Sequence, residues 1–108
     1  FGPTIVLGLG GIFVELIKDS VLKLPPLSHA EALNMIQTIK GHSILEGFRG
    51  KPLADIDALA DTIVQSARMA VDLTGVLNAL DLNPLMVLPQ GQGVLAADVL
   101  MECAPVAV

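Results

Sequence analysis

The chain predicts an α+β fold, in which a mostly antiparallel four-stranded sheet carries two helices on one face in the order ββααββ. Three observations lead there. Two apolar, strand-like stretches open the chain, two segments of helical spacing follow Pro25-Pro26, and a hairpin pattern comes after them. At 108 residues the chain suits a single domain, 1–108, built on one core.

Thr4 to Gly8 is apolar and β-branched, which reads as a strand, and Gly8-Leu9-Gly10-Gly11 interrupts it. Ile12 to Leu16 resumes the strand pattern. Lys18-Asp19 then marks a turn or bulge, Val21 to Leu24 continues, and Pro25-Pro26 stops the sheet segment. Ser28-His29-Ala30-Glu31 is a capping box: the Ser hydroxyl can accept from the third helical N–H while Glu31 reaches back to the cap. Leu33, Ile36 and Ile39 give the first helix its apolar stripe, and Gly41 supplies a stop. The second helix starts after Asp55 as cap. Ile56, Leu59, Ala60, Ile63, Val64, Ala67, Ala70 and Val71 form its inward stripe, with Asp57, Asp61, Gln65, Arg68 and Asp72 outside. Thr74-Gly75 ends it.

The hairpin carries the chemistry. Ala79 to Leu88 is largely apolar, Pro89-Gln90-Gly91-Gln92 turns the chain, and Val94 to Ala97 returns. With Gln90-Gly91 as a two-residue turn, Asn83 lies opposite Asp98. Alternation puts Asp81 on the face of Asn83. Directly opposed residues stand about 4.5–5.5 Å apart at Cβ, so three oxygen-bearing side chains would converge. Two carboxylates that close repel one another unless a cation lies between them. Oxygen-only donors favour Mg²⁺ or another hard cation. Asp and Asn also suit strand ends and pre-proline positions, and spacing alone leaves both readings open.

Composition narrows the partners. Hydrophobic residues make up 53% and charged residues 16% of the chain, more apolar surface than a small domain easily hides. A neighbouring domain or subunit is expected to cover part of it. Net charge is −5, and Trp and Tyr are absent, which argues against a phosphate backbone or stacked bases as partner. No nucleic acid is expected. The apolar stretches are too short or too broken by Gly, Pro and Gln to span a bilayer, which needs about 20 residues, so no membrane is expected either. Cys103 stands alone, so no internal disulfide forms, and a buried or inert thiol in a reducing, cytoplasmic setting is the expectation.

Three further features admit two readings each. Gly8-x-Gly10-Gly11 lacks dinucleotide-fingerprint spacing and is followed by no helix; glycine between strands marks a bend or a close backbone approach. Glu15 is a lone acid within Ile12 to Ile17, pointing outward or serving a site. Lys40, Arg49 and Lys51 lie in a glycine-rich segment of an acidic chain. Arg49 suits a phosphate by its forked donors and equally a solvated loop, while the solvated reading is preferred for the lysines.

With these elements placed, the sequence resembles the C-terminal half of the ATP-grasp domain of nucleoside-diphosphate-forming acyl-CoA synthetases, relatives of the succinyl-CoA synthetase β subunit. Four stretches carry the resemblance: Phe1-Gly2-Pro3 through Gly8 to Glu15; Leu45-Glu46-Gly47-Phe48-Arg49-Gly50; Asp55-Ile56-Asp57-Ala58-Leu59; and Leu80-Asp81-Leu82-Asn83-Pro84-Leu85. The resemblance implies that Asp81, Asn83 and Asp98 are Mg²⁺-nucleotide ligands, and that Gly10, Gly11 and Glu15 face the nucleotide cleft. It places Arg49, as a catalytic residue, in the family's Gly-x-Arg-Gly loop. The implied cofactors are Mg²⁺ and ATP/ADP or GTP/GDP.

The implied parent is an ADP-forming acid–thiol ligase that interconverts acyl-CoA, phosphate and nucleoside diphosphate with acid, CoA and nucleoside triphosphate, through a phosphorylated intermediate. The implied partners are the N-terminal ATP-grasp half and the CoA-binding and ligase domains, with self-association into a homo-oligomer as a further expectation. The chain by itself should bind Mg²⁺-nucleotide weakly and turn over nothing. Two departures stand out. Relatives tend to carry a basic residue where Leu100 stands, and neither His29 nor His42 matches the family's phospho-accepting histidine. The competing expectation is a non-catalytic module that docks a partner through an apolar sheet face.

Overall fold

The computed structural model describes residues 2–8, 11–17, 27–38 and 53–105; within the first two ranges, side chains are described only at Ile5 and Leu7. Strand β1 (Gly2–Gly8) pairs antiparallel with β2 (Gly11–Ile17), from Gly2 opposite Ile17 to Gly8 opposite Gly11. Helix α1 (His29–Thr38) and helix α2 (Ile56–Asp72) follow. Four short strands come next: β3 (Leu77–Leu82), β4 (Leu85–Val87), β5 (Val94–Ala96) and β6 (Val99–Cys103). Among the described residues β1-β2-β3-β6 form one antiparallel sheet, and β4-β5 a separate two-stranded ribbon.

The α+β class and the ββααββ order hold, with one refinement. The closing hairpin is not a single pair of strands: it breaks at Asn83-Pro84 on one side and Ala97-Asp98 on the other. Pro84 has no N–H to give the ladder, so continuous pairing ends there. Val21–Leu24, Pro25-Pro26, Ile39 and Gly41 lie outside the described residues.

Both helices start where the sequence places them. Glu31 N–H donates to Ser28 Oγ at 3.1 Å and Ser28 N–H to Glu31 Oε1 at 3.1 Å, a complete capping box. Asp55 caps α2 by accepting from Ala58 N–H at 3.2 Å. At the other end of α2, Thr74 Oγ1 donates to the Val71 carbonyl at 2.8 Å, and Gly75 takes a φ of +88°, a conformation that costs glycine little.

The core lies between the sheet and α2, with α1 packed on α2. Ile5 and Leu80 sit in one cross-strand row on either side of Val14, and both are buried beneath the helices. In α2 the buried face is Leu59, Ala60, Ile63, Ser66, Ala67 and Ala70; in α1 it is Ala32, Met35 and Ile36. Against expectation Val71 is exposed, at the outer flank of its helix, and the short Ser66 takes a buried place. Leu33 is half-buried rather than central, while Ala32, Met35 and Ile36 are the buried residues of α1. Cys103 is exposed at the end of β6, so of the two expectations for it, buried or inert, the buried one does not hold.

Candidate functional site

Strand alternation explains where the carboxylates go. Leu80 is buried against the helices, so Asp81 projects from the opposite face of the sheet, half-buried. Asp81 lies between Phe13 of β2 and Leu100 of β6. Two pairs along, Glu15 stands opposite Ala79, which is itself opposite Glu102. The register rows therefore put Glu15 diagonal to Asp81.

The register of the hairpin passes through its break without a slip. Leu82 pairs with Val99 on the sheet side and Leu85 with Ala96 on the ribbon side, leaving Asn83-Pro84 to face Ala97-Asp98 with no inserted residue. Backbone bonds span the gap: Asn83 N–H donates to the Asp98 carbonyl at 3.1 Å, and Ala97 N–H to the Pro84 carbonyl at 2.9 Å. The Asn83–Pro84 peptide is cis. At the far end Gln92 N–H donates to the Pro89 carbonyl at 2.9 Å around Gln90-Gly91, the turn that the sequence predicts. Asn83 and Asp98 are both exposed.

The junction thus places two carboxylate-bearing residues and one amide, all oxygen donors, within a few residues of register. That set suits a hard divalent cation bound partly by water and partly by phosphate oxygens. Among the described residues neither Asp81 nor Asp98 is paired with a basic side chain; the described ion pairs both belong to His29. No group of three His, Cys, Asp or Glu among them forms a protein-only metal cage. Gly11 ends the β1–β2 pairing opposite Gly8, whereas Gly10 and Arg49, with Lys40, Lys51 and His42, lie outside the described residues.

Sequence reasoning missed two residues that the fold uses. Asp55, read only as a helix cap, also accepts from Gly91 N–H at 3.1 Å and Gly93 N–H at 2.8 Å through its second oxygen. These three backbone donors hold its carboxyl below the usual carboxylate range, with the Gly93 bond foremost. His29, read as a surface residue, is exposed but bridges the helices, with Nδ1 3.0 Å from Asp61 Oδ1 and Nε2 3.3 Å from Asp57 Oδ1. In each case the partner lies some thirty residues away, beyond any local pattern.

Comparison with known proteins bears on the same architecture. The model of an ATP-grasp domain matches residues 1–103. Over 98 residues the chain is 40% identical to the beta subunit of ADP-forming acetate–CoA ligase II from Pyrococcus furiosus, covering 91% of this chain and 42% of that subunit. Over 99 residues it is 40% identical to an ADP-forming 4-hydroxybutyrate–CoA ligase from Nitrosopumilus maritimus, covering 92% of this chain and 14% of that ligase. The chain thus spans less than half the length of these curated relatives. Among solved structures, the dinucleotide-forming acetyl-coenzyme A synthetase 1 of Candidatus Korarchaeum cryptofilum superposes with a TM-score of 0.70 at 25% identity, over 95% of this chain and 51% of that one. That structure was determined in complex with coenzyme A and Mg-AMPPCP, its phosphohistidine segment pointing towards the nucleotide-binding site.

Proposed function

The chain belongs to the ATP-grasp domain family of ADP-forming acyl-CoA ligases, and from that premise we propose that it is the part of such a ligase that holds the metal and phosphates of its nucleotide. The observation that carries the reading is the junction: Asn83 bonded through its backbone to Asp98, in register, two residues from Asp81 on the outward face of the sheet. Asp81, Asn83 and Asp98 would hold Mg²⁺. When bound there, the ion would neutralise phosphate charge as the phosphoryl group moves between nucleotide and acceptor.

The remaining work belongs to the chain's own residues. Phosphoryl transfer needs positioning and charge balance more than covalent help from side chains. Strands β3 and β6 supply positioning, because their antiparallel ladder fixes Asp81 and its neighbours on a rigid sheet. Gly10, Gly11 and Glu15 are proposed to face the nucleotide, as the family resemblance implies, and Arg49 carries a forked donor set suited to a phosphate. The nucleotide is an adenosine or guanosine di- or triphosphate, and acyl-CoA and inorganic phosphate are substrates of the whole ligase. The N-terminal ATP-grasp half and the CoA-binding domains are the proposed partners. The isolated chain is proposed to be inactive, and acyl-CoA formation by it alone would overturn that statement.

The test is made in the full-length protein. Mg²⁺ with ADP should raise the wild-type Tm, and the Asp81→Ala, Asp98→Ala double variant should lose that shift while keeping its ligand-free Tm within a few degrees. Exposed or half-exposed acids contribute little to folding, which makes the second condition reasonable. Equal Mg²⁺-ADP shifts in the two proteins would overturn the site.

A further inference from the structure

The β4–β5 ribbon carries the junction at one end and the Pro89–Gly93 turn at the other. What holds the turn end is mostly backbone: Gln90 N–H donates to the Leu53 carbonyl at 2.8 Å, Asp55 N–H to the Leu88 carbonyl at 2.8 Å, and Ala54 bridges Pro89. One side chain joins them. Asp55 is buried, with one carboxylate oxygen on the first turn of α2 and the other on Gly91 and Gly93, two glycines at φ of +86° and +85°.

We propose that Asp55 is a positioning residue for the Asn83–Asp98 junction: its carboxylate clasps the ribbon's turn to the N-terminus of α2 and so fixes where the ribbon delivers those two ligands. The inference rests on the functional reading above. Its physical basis is rigidity along the ribbon. Leu85, Val87 and Val94 pack against the core and Leu88 N–H donates to the Gly93 carbonyl at 3.0 Å, so the ribbon is tied together as one unit. Release of the turn end shifts the other end, where Asn83 and Asp98 are exposed and lack a packed shell of their own. The low pKa of Asp55 agrees with a carboxylate kept ionised to grip three donors at once.

Two substitutions separate this role from helix capping. In Asp55→Asn the remaining carbonyl oxygen can still accept from Ala58, and Asn is a good cap, but its NH₂ group meets the Gly91 and Gly93 donors. Gly93→Ala leaves Asp55 and the cap intact. A Cβ there meets nothing within 4 Å, so only the positive φ resists it, and the turn alone is strained. The measurement uses the full-length protein with ADP and Mn²⁺ as probe, followed by loss of the free-ion EPR signal at a temperature well below each variant's Tm. Amide exchange at residues 91 and 93 is followed alongside.

Both variants should remain folded by circular dichroism, exchange faster at the turn and bind Mn²⁺ about tenfold more weakly, as supporting groups behind metal ligands generally do when removed. A merely structural role would lower Tm and leave Mn²⁺ affinity in the folded protein unchanged. That result in either variant overturns the inference while the site itself stands. Asp81→Ala, Asp98→Ala serves as reference: if it binds Mn²⁺ as the wild type does, the functional reading fails, and the role of Asp55 with it.

Discussion

At Asp55 one side chain serves two elements, and its ionisation reports on both. The carboxylate accepts from Gly93, Ala58 and Gly91, and its pKa lies below the ordinary value of 3.8. A group whose folded pKa is depressed favours the folded state above its unfolded pKa and loses that preference as pH falls through the folded one. Stability linked to Asp55 is therefore fully present above about pH 4 and declines in more acid solution. Urea midpoints of wild type and Asp55→Asn, measured from pH 6 to pH 2.5, should differ by a constant margin near neutrality and converge at the acid end. A margin that stays constant down to pH 2.5 would show that the carboxylate is not gripped as the distances imply. The cap at Asp55 was legible in sequence because capping is local, three residues from acceptor to donor. Its hold on Gly91 and Gly93 was not, since nothing in the spacing of residues 55 and 93 encodes a contact. The same holds for His29 with Asp57 and Asp61.

Elements show the same division between local and distant causes. The start of α1 was readable because Ser28 and Glu31 satisfy each other's N–H groups, and both bonds are present at 3.1 Å. Ser28→Ala removes one of the pair and should cost about 1 kcal/mol, seen as a lower thermal midpoint with the helix content otherwise retained. An unchanged midpoint would mean that α1 draws its stability from packing of Ala32, Met35 and Ile36 on α2 alone. The register of the closing hairpin was equally legible, from Gln90-Gly91 outward to Asn83 opposite Asp98. What the sequence did not disclose is the division of that hairpin between sheet and ribbon. Pro84 signals a lost N–H, but which strand β6 joins depends on β3, whose other edge is taken by β2. Burial at Ser66 and exposure at Val71 were misjudged for a related reason: a helical stripe gives a face, while the neighbour decides which edge of it is covered.

For the molecule as a whole, the high apolar fraction finds its outlet at the edge of the sheet. Among the described residues strand β6 ends the order β1-β2-β3-β6, and every one of its residues is exposed, with Val99 at 51%, Leu100 at 60% and Met101 at 47%. Met86 and Leu95, opposite each other on the ribbon, are exposed as well. An edge strand offers unpaired backbone groups, and three large apolar side chains in succession do nothing to discourage pairing with another chain. Charged residues usually guard such edges, and here Glu102 alone stands among the five residues of β6. The isolated chain should therefore associate with itself as concentration rises. Leu100 is the position to alter, because it lies directly across from Asp81 and makes little use of the core. Leu100→Lys should leave folding stability within about 0.5 kcal/mol, as exposed substitutions generally do. It should also shift sedimentation at high micromolar concentration toward the monomer, through the charge placed on the edge. A monomer fraction equal to that of wild type at every concentration would show that β6 is not the surface through which the chain associates.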